Sequence, residues 1–306
     1  MGHVTFVHGI GNKLPPDALL DAWERSLADD GGLDLGTRGV TSSMVYWADV
    51  MYPEPSEAAL ESTSDLPQLE TEVDVSFRDG GSPEEQEWAN RLAESLGVDE
   101  ESDAGNEPYP GADDDLERVP LPRGLKNRLM RTLLRDVHHY LFDSRHQPRP
   151  DTEYAVQSEI RNRMVTGLQQ GAEAEGPHVV VSHSMGTVIA YDCLKRVRDC
   201  PPVDALITVG SPLGRDEIPD ELKPGWSRND GYPSERLTGE WLNVYDRLDP
   251  VVGMYPHLKY TYRRAGVEQV VDLNEQNWGT WRHDIAKYLH GPKLRAKLAT
   301  LLGESD

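Results

Sequence analysis

The sequence predicts an α/β fold, a mostly parallel sheet with helices on both faces. Three observations predict it. The run His178-Val179-Val180-Val181-Ser182 reads as a buried strand, and from Val188 the pattern changes to helical spacing through Ile189, Cys193, Leu194 and Val197. Elsewhere along the 306 residues, strand-like runs alternate with helical patterns, the order that yields a parallel sheet covered on both sides. Finally, each polar cluster follows a strand, where such sheets build their sites.

Taken in order, His3–His8 is a strand that closes in His8-Gly9-Ile10-Gly11. A helix over Pro16–Ala28 follows, started by Pro15-Pro16 and Asp17 and stopped by Asp30-Gly31-Gly32. Val40–Trp47 is a second strand. Residues 53–150 read as an insertion between the two parts of a core, 1–52 and 151–306. Within it, 53–117 is acidic, rich in Pro, Gly and Ser, and expected to be partly disordered, above all over Glu100–Asp115. Pro83–Leu96 is its one helix. About residues 121–142, Leu125, Leu129, Leu133, Val137 and Leu141 make an apolar stripe, widened by Met130, Leu134 and Tyr140. Arg123, Lys126, Arg128, Arg131 and Arg135 line the rest. This basic amphipathic helix packs as an ordinary core helix or serves as a cap over the site, touching lipid transiently. His138, His139 and His146 are expected in a solvated stretch.

A helix near Thr152–Gln170 leads to the His178–Ser182 strand, the turn at Ser184 and its helix. Asp204–Gly210 is another buried strand, Leu213–Gly239 a loop or second cap element, and Trp241–Tyr245 a strand entering Asp246-Arg247-Leu248-Asp249-Pro250-Val251. Lys259–Arg263 and Val267–Leu273 are weaker strand candidates. A final amphipathic helix covers His283–Leu302, interrupted near Gly291-Pro292.

The charge of −22 is concentrated rather than spread. Residues 53–117 hold 21 Asp and Glu against Arg78 and Arg91, leaving 32 acids and 29 bases elsewhere. Such a block repels phosphates, which argues against nucleic-acid partners. No apolar run approaches the roughly 20 residues of a membrane span. The start of the chain carries no basic-then-apolar leader, so a cytoplasmic location is expected. Cys193 and Cys200 make no disulfide framework, and no metal-ligand or cofactor-binding spacing stands out.

A serine hydroxyl becomes a strong nucleophile when a base takes its proton and a carboxylate orients that base. Ser184, held at a sharp strand-to-helix turn between small residues, is the candidate nucleophile. Asp249, just after a strand, is the candidate acid, with Asp246 as the alternative. His283, in Trp281-Arg282-His283-Asp284, is the candidate base. His257 follows Asp249 too closely and His290 lies inside a helix. Two N–H donors are needed for an oxyanion. Met185 just past the serine supplies one, and Ile10 the other, in the loop of His8 and Gly9. Ser211 is read as a residue of the site rim.

Val7-His8-Gly9-Ile10-Gly11, Ser182-His183-Ser184-Met185-Gly186, Val209-Gly210-Ser211-Pro212-Leu213 and Asp249-Pro250-Val251 together resemble the α/β-hydrolase superfamily, in its lipase-like and PGAP1-like esterase branch. The serine turn resembles that family's nucleophile elbow, with Ser182 where a Gly is usual. The resemblance covers about residues 1–50 and 150–300; Tyr52–Asp151 matches nothing in it. It implies an α/β-hydrolase sheet, shortened on its N-terminal side because two further strands usually precede the H-G loop. It further implies a Ser-Asp-His enzyme without cofactor, acting on small-molecule or lipid esters through an acyl-enzyme. An acyltransferase, thioesterase or peptidase on this fold, or a non-catalytic binding protein, are the alternatives, and oligomeric state is left open.

Overall fold

The structure is a computed structural model that describes residues 1–56, 73–98, 123–222 and 225–303. Glu100–Asp115, expected to be disordered, lies outside the described residues. Six strands form one all-parallel sheet with helices on both faces.

The first strand, β1 (His3–Val7), is buried along its whole length. Helix α1 (Pro16–Ala28) follows, with proline at its first position and Asp17 in its first turn. Strand β2 (Thr41–Val45) pairs with β1 from His3↔Thr41 to Val7↔Val45. Two short helices, α2 (Ala48–Met51) and α3 (Phe77–Gly80), precede α4 (Pro83–Leu96). The sequence of α4 encodes both its ends. Ser82 accepts from the Glu85 N–H, Glu85 accepts from the Ser82 N–H, and Gly97 closes the helix at φ 65°. Although acidic outside, α4 buries Trp88, Ala89, Leu92, Ala93 and Leu96.

Helix α5 (Arg123–Leu141) is the basic stripe of the sequence, and it is integral to the core. Leu129, Met130, Leu133, Leu134, Val137 and Tyr140 are buried, each contributing about 1.5–3 kcal/mol of burial. From Gly124 to Leu141 every residue is buried or half-buried. The Tyr140 hydroxyl donates to Asp192 at 2.7 Å, and Arg161 donates to the same carboxylate at 2.7 and 3.0 Å. His138, expected in a solvated stretch, is instead buried, its ring stacked 3.8 Å from Phe77. Its apolar surroundings come from α3 and α4, distant in sequence, so no local pattern revealed them.

The segment expected as a helix from Thr152 begins as a hairpin. Strands β3 (Arg145–Arg149) and β4 (Thr152–Ala155) pair antiparallel, and α6 (Val156–Ala172) starts after them. The remaining sheet elements are β5 (His178–His183), α7 (Met185–Arg196), β6 (Ala205–Val209), a short α8 (Glu217–Asp220), β7 (Trp241–Tyr245) and β8 (Val271–Asn274). Lys259–Arg263 is turn rather than strand, and of Val267–Leu273 Val267 makes only an isolated bridge with Arg264 while the end joins the sheet as part of β8. The last helix is broken by Gly291-Pro292 into α9 (Ile285–His290) and α10 (Pro292–Leu301).

Strand order is β2-β1-β5-β6-β7-β8. Alternation along the strands fills two cores. Val7 and Val180 join the core under α4, α5, α6 and α7. Val4, Phe6, Val179 and Val181 join the core under α1, α9 and α10. The chain winds outward from β1 to β2, then returns to the other side of β1 as β5. A crevice therefore opens beyond the carboxyl ends of β1 and β5, where the winding reverses.

Candidate active site

Ser184 stands in that crevice, between β5 and α7. Its backbone, at φ 54° and ψ −128°, is strained for a non-glycine residue. Close approach makes the turn possible. A Cβ on Gly9 would lie 2.6 Å from the Ser184 Cβ, and one on Gly186 would lie 2.6 Å from the Val7 and His8 carbonyl oxygens. The Ser184 N–H donates to the Val209 carbonyl at 2.9 Å. Ser182 is fully buried and donates to the Ile207 carbonyl at 3.2 Å, so a serine fits where the elbow pattern has glycine.

The structure brings Asp249 and His283 together. The His283 Nδ1 lies 2.8 Å from Asp249 Oδ2, and both side chains are buried. The same carboxylate accepts from the Tyr288 hydroxyl at 2.8 Å and, through Oδ1, from the Val251 N–H at 2.8 Å. With Nδ1–H donating to the carboxylate, Nε2 is left as the basic nitrogen. Neither that Nε2 nor the buried Ser184 Oγ hydrogen-bonds to any described residue. His183 lies against His283, the two rings 4.6 Å apart and its Nε2 3.1 Å from the His283 carbonyl. Burial first, then the neighbouring His283, pushes the His183 pKa well below the ordinary histidine value. As a neutral ring, His183 donates to that carbonyl and steadies the backbone of His283.

The other candidates are engaged elsewhere. Asp246 accepts from the Leu248 and Asn277 N–H groups, both at 2.7 Å, and from Arg282 at 3.3 Å. His257 pairs with Asp272 at 3.5 Å, and His290 lies 3.9 and 3.8 Å from Asp29 and Asp30. Ser211 accepts from the Leu213 N–H and lies 2.7 Å from the Thr187 hydroxyl, beside the first turn of α7.

Met185 opens α7, where an N–H has no intrahelical acceptor and the helix dipole is positive. The Met185 and Ile10 N–H groups make no hydrogen bond among the described residues. Around Ile10 the remaining polar groups are occupied. His8 accepts from the Trp47 N–H at 2.9 Å, so its Nδ1–H donates to the Gly9 carbonyl, also at 2.9 Å. Trp47 returns an indole N–H to the His8 carbonyl at 3.0 Å and stacks on the His8 ring at 4.7 Å. Lys13 donates to the Ile10 carbonyl, and the Gly11 N–H donates to Asp136 of α5 at 3.1 Å.

Sequence reasoning did not find Tyr288, His183, Lys13, Asp136 or Arg215. Arg215 donates to Ser95, at the end of α4, at 2.7 and 2.8 Å and to the Val251 carbonyl, binding α4 to the loop after Asp249. Tyr288 carried a weak signal, lying on the helix that follows His283. Asp136 carried none, because it reaches Gly11 from 125 positions away.

Among the described residues no group of three or more His, Cys, Asp or Glu is placed to hold a metal ion. No described helix is long and apolar enough to cross a membrane. A comparison with curated proteins finds no match. A family model described as the alpha/beta hydrolase family matches residues 118–306, well over half the chain. The matched span includes the elbow, Asp249 and His283, and it reaches back through α5 and the β3–β4 hairpin, which the sequence motifs could not align. Residues 1–117 fall outside it, yet β1 pairs in register with β5 from His3↔His178 to Val7↔Ser182. The six-stranded parallel sheet and this match agree, and the chain belongs to the α/β-hydrolase family.

Proposed function

We propose that the protein is a serine hydrolase of carboxylic esters, with Ser184 as nucleophile, His283 as base and Asp249 as orienting acid. The buried 2.8 Å contact between His283 and Asp249, beside a serine held at positive φ, carries this reading. Family membership points the same way, toward a hydrolase.

In this reading the Ser184 Oγ attacks the ester carbonyl carbon while its proton passes to His283 Nε2. Asp249 holds the ring by Nδ1 and stabilises the imidazolium. The carbonyl oxygen, now an oxyanion, accepts from the Met185 and Ile10 N–H groups, each worth roughly 10²–10³ in rate. Collapse breaks the bond to the alkoxide, which leaves with the proton from Nε2. Water then repeats the sequence on the acyl-enzyme, with His283 taking its proton, and releases the acid and Ser184. Esters, from small molecules to lipids, are the substrate class proposed, the alkoxide leaving with the one proton that His283 supplies.

A p-nitrophenyl ester series from acetate to palmitate tests the reading, with Ser184→Ala measured in parallel. Wild type should hydrolyse part of the series and be labelled by a fluorophosphonate. Loss of the nucleophile should lower kcat by on the order of 10⁶ and abolish labelling. Turnover that survives in Ser184→Ala, or a wild type that neither turns over nor is labelled, would overturn it. The acyl length preferred decides whether lipid esters belong among its substrates.

A further inference from the structure

The proposed oxyanion loop is short, and its backbone has to be held in place. Three side chains hold it. The peptide joining Gly9 to Ile10 is held at its oxygen by His8 Nδ1 at 2.9 Å. A trans peptide sets its N–H opposite its C=O, so fixing the Gly9 oxygen fixes the direction of the Ile10 N–H. The next peptide is held at both ends, its Ile10 oxygen by Lys13 and its Gly11 N–H by Asp136 at 3.1 Å.

We propose that Asp136, with Lys13, is a positioning residue that aims the Ile10 N–H at the oxyanion, making α5 part of the catalytic apparatus. The inference rests on the serine-hydrolase reading and adds to it a function for a helix of the insertion. Asp136 is fully buried. Its Oδ1 accepts from Arg135 at 2.9 Å, which leaves Oδ2 for Gly11. Arg135 in turn donates to the Tyr52 hydroxyl, so the carboxylate is braced from behind. Lys13 faces the same carboxylate. Burial pulls the ammonium down to about 8 while the charge of Asp136 opposes that shift. A carboxylate placed only to fold α5 would need one cationic partner, which Arg135 already provides. Its second oxygen is spent instead on a backbone N–H of the loop after β1, 125 positions away.

The test uses the full chain as wild type, Ser184→Ala, Asp136→Asn, Asp136→Ala and Lys13→Met. It reads kcat and KM on p-nitrophenyl butyrate, the rate of fluorophosphonate labelling and the thermal midpoint. Displacing one donor by an ångström or so costs up to about 100-fold. Asp136→Ala should therefore lower kcat and labelling by roughly 10–100-fold with KM within about threefold. Asp136→Asn keeps an acceptor oxygen and should recover most of that loss. Lys13→Met, in the half-buried loop rather than in α5, should lower kcat in the same way; it carries the test should Asp136→Ala fail to fold. A folded Asp136→Ala with wild-type kcat, or a loss confined to KM, overturns the inference. A wild-type kcat in Lys13→Met does the same. Activity retained in Ser184→Ala instead overturns the serine reading itself, so the two failures are distinguishable.

Discussion

Tyr288 braces Asp249. Its hydroxyl donates to Asp249 at 2.8 Å while accepting from the Asp246 N–H at 2.9 Å, so one oxygen links both aspartates of the loop. Burial, then the adjacent carboxylate of Asp249, raises its pKa well above the ordinary tyrosine value, which keeps it a neutral donor. Replacing Tyr288 with Phe removes about 1 kcal/mol of hydrogen bonding to the carboxylate and strands a buried N–H. The expected result is a stability loss of roughly 1–2 kcal/mol by urea unfolding. A drop in kcat of about fivefold should accompany it, since 1 kcal/mol on the barrier is worth that much. Unchanged kcat would show that His283 and Val251 alone suffice to orient Asp249. At this scale a strand end and a chain order marked Ser184, Asp249 and His283 as candidates, and the structure brings the last two into contact. The sequence was not legible for Tyr288 or Asp136, whose roles exist only through contacts 39 and 125 positions apart.

Among the elements, the contact of α7 with β1 sets the site. Gly186, in the first turn of α7, packs so closely that a Cβ would meet two carbonyl oxygens of residues 7 and 8 at 2.6 Å. Backbone cannot yield as a flexible side chain would. Gly186→Ala should therefore push the helix from the strand, costing about 1–3 kcal/mol as an overpacked site does. Labelling of Ser184 should slow in step, because Met185 and Ile10 would separate; thermal unfolding and the labelling rate check the two halves. Normal stability in Gly186→Ala would contradict the close approach. The elements themselves were well marked where local signals were strong. The capping box and terminal glycine of α4 placed its ends at Pro83 and Leu96, and Gly291-Pro292 divided the last helix. They were poorly marked where pairing decides: β3 contains Arg, His and Pro, β4 is four residues long, and only their partnership makes them strands.

Across the whole molecule, two electrostatic effects oppose each other at acid pH. The charge of −22 suggests that protonating carboxylates should stabilise the fold by relieving repulsion. Six histidines, His3, His8, His138, His139, His178 and His183, have pKa values lowered chiefly by burial, those of His139 and His178 to about 4. In the unfolded chain these rings take up protons near 6.5, whereas in the folded chain all six resist protonation, His139 and His178 until about 4. Their stabilising contribution is thus complete above pH 6.5 and lost as pH falls toward 4. His139 and His178 alone are worth on the order of 2 kcal/mol each, while exposed carboxylates repel one another through screening solvent and weigh less. The urea midpoint should therefore fall between pH 7 and pH 4.5, and His178→Gln should flatten the slope. A midpoint that rises toward pH 4.5 would show that repulsion dominates.

By itself the sequence determined the class of fold and the position of the serine turn, and marked two candidate aspartates and a candidate histidine after it. Each of these is written in patterns a few residues long: apolar alternation, helical spacing, small residues at a turn. Only the tertiary structure decided which aspartate meets His283, that α5 lies in the core, and that Asp136 reaches the loop of Ile10. Hydrogen bonds between distant segments follow from how helices settle on a sheet, and no local pattern carries that information.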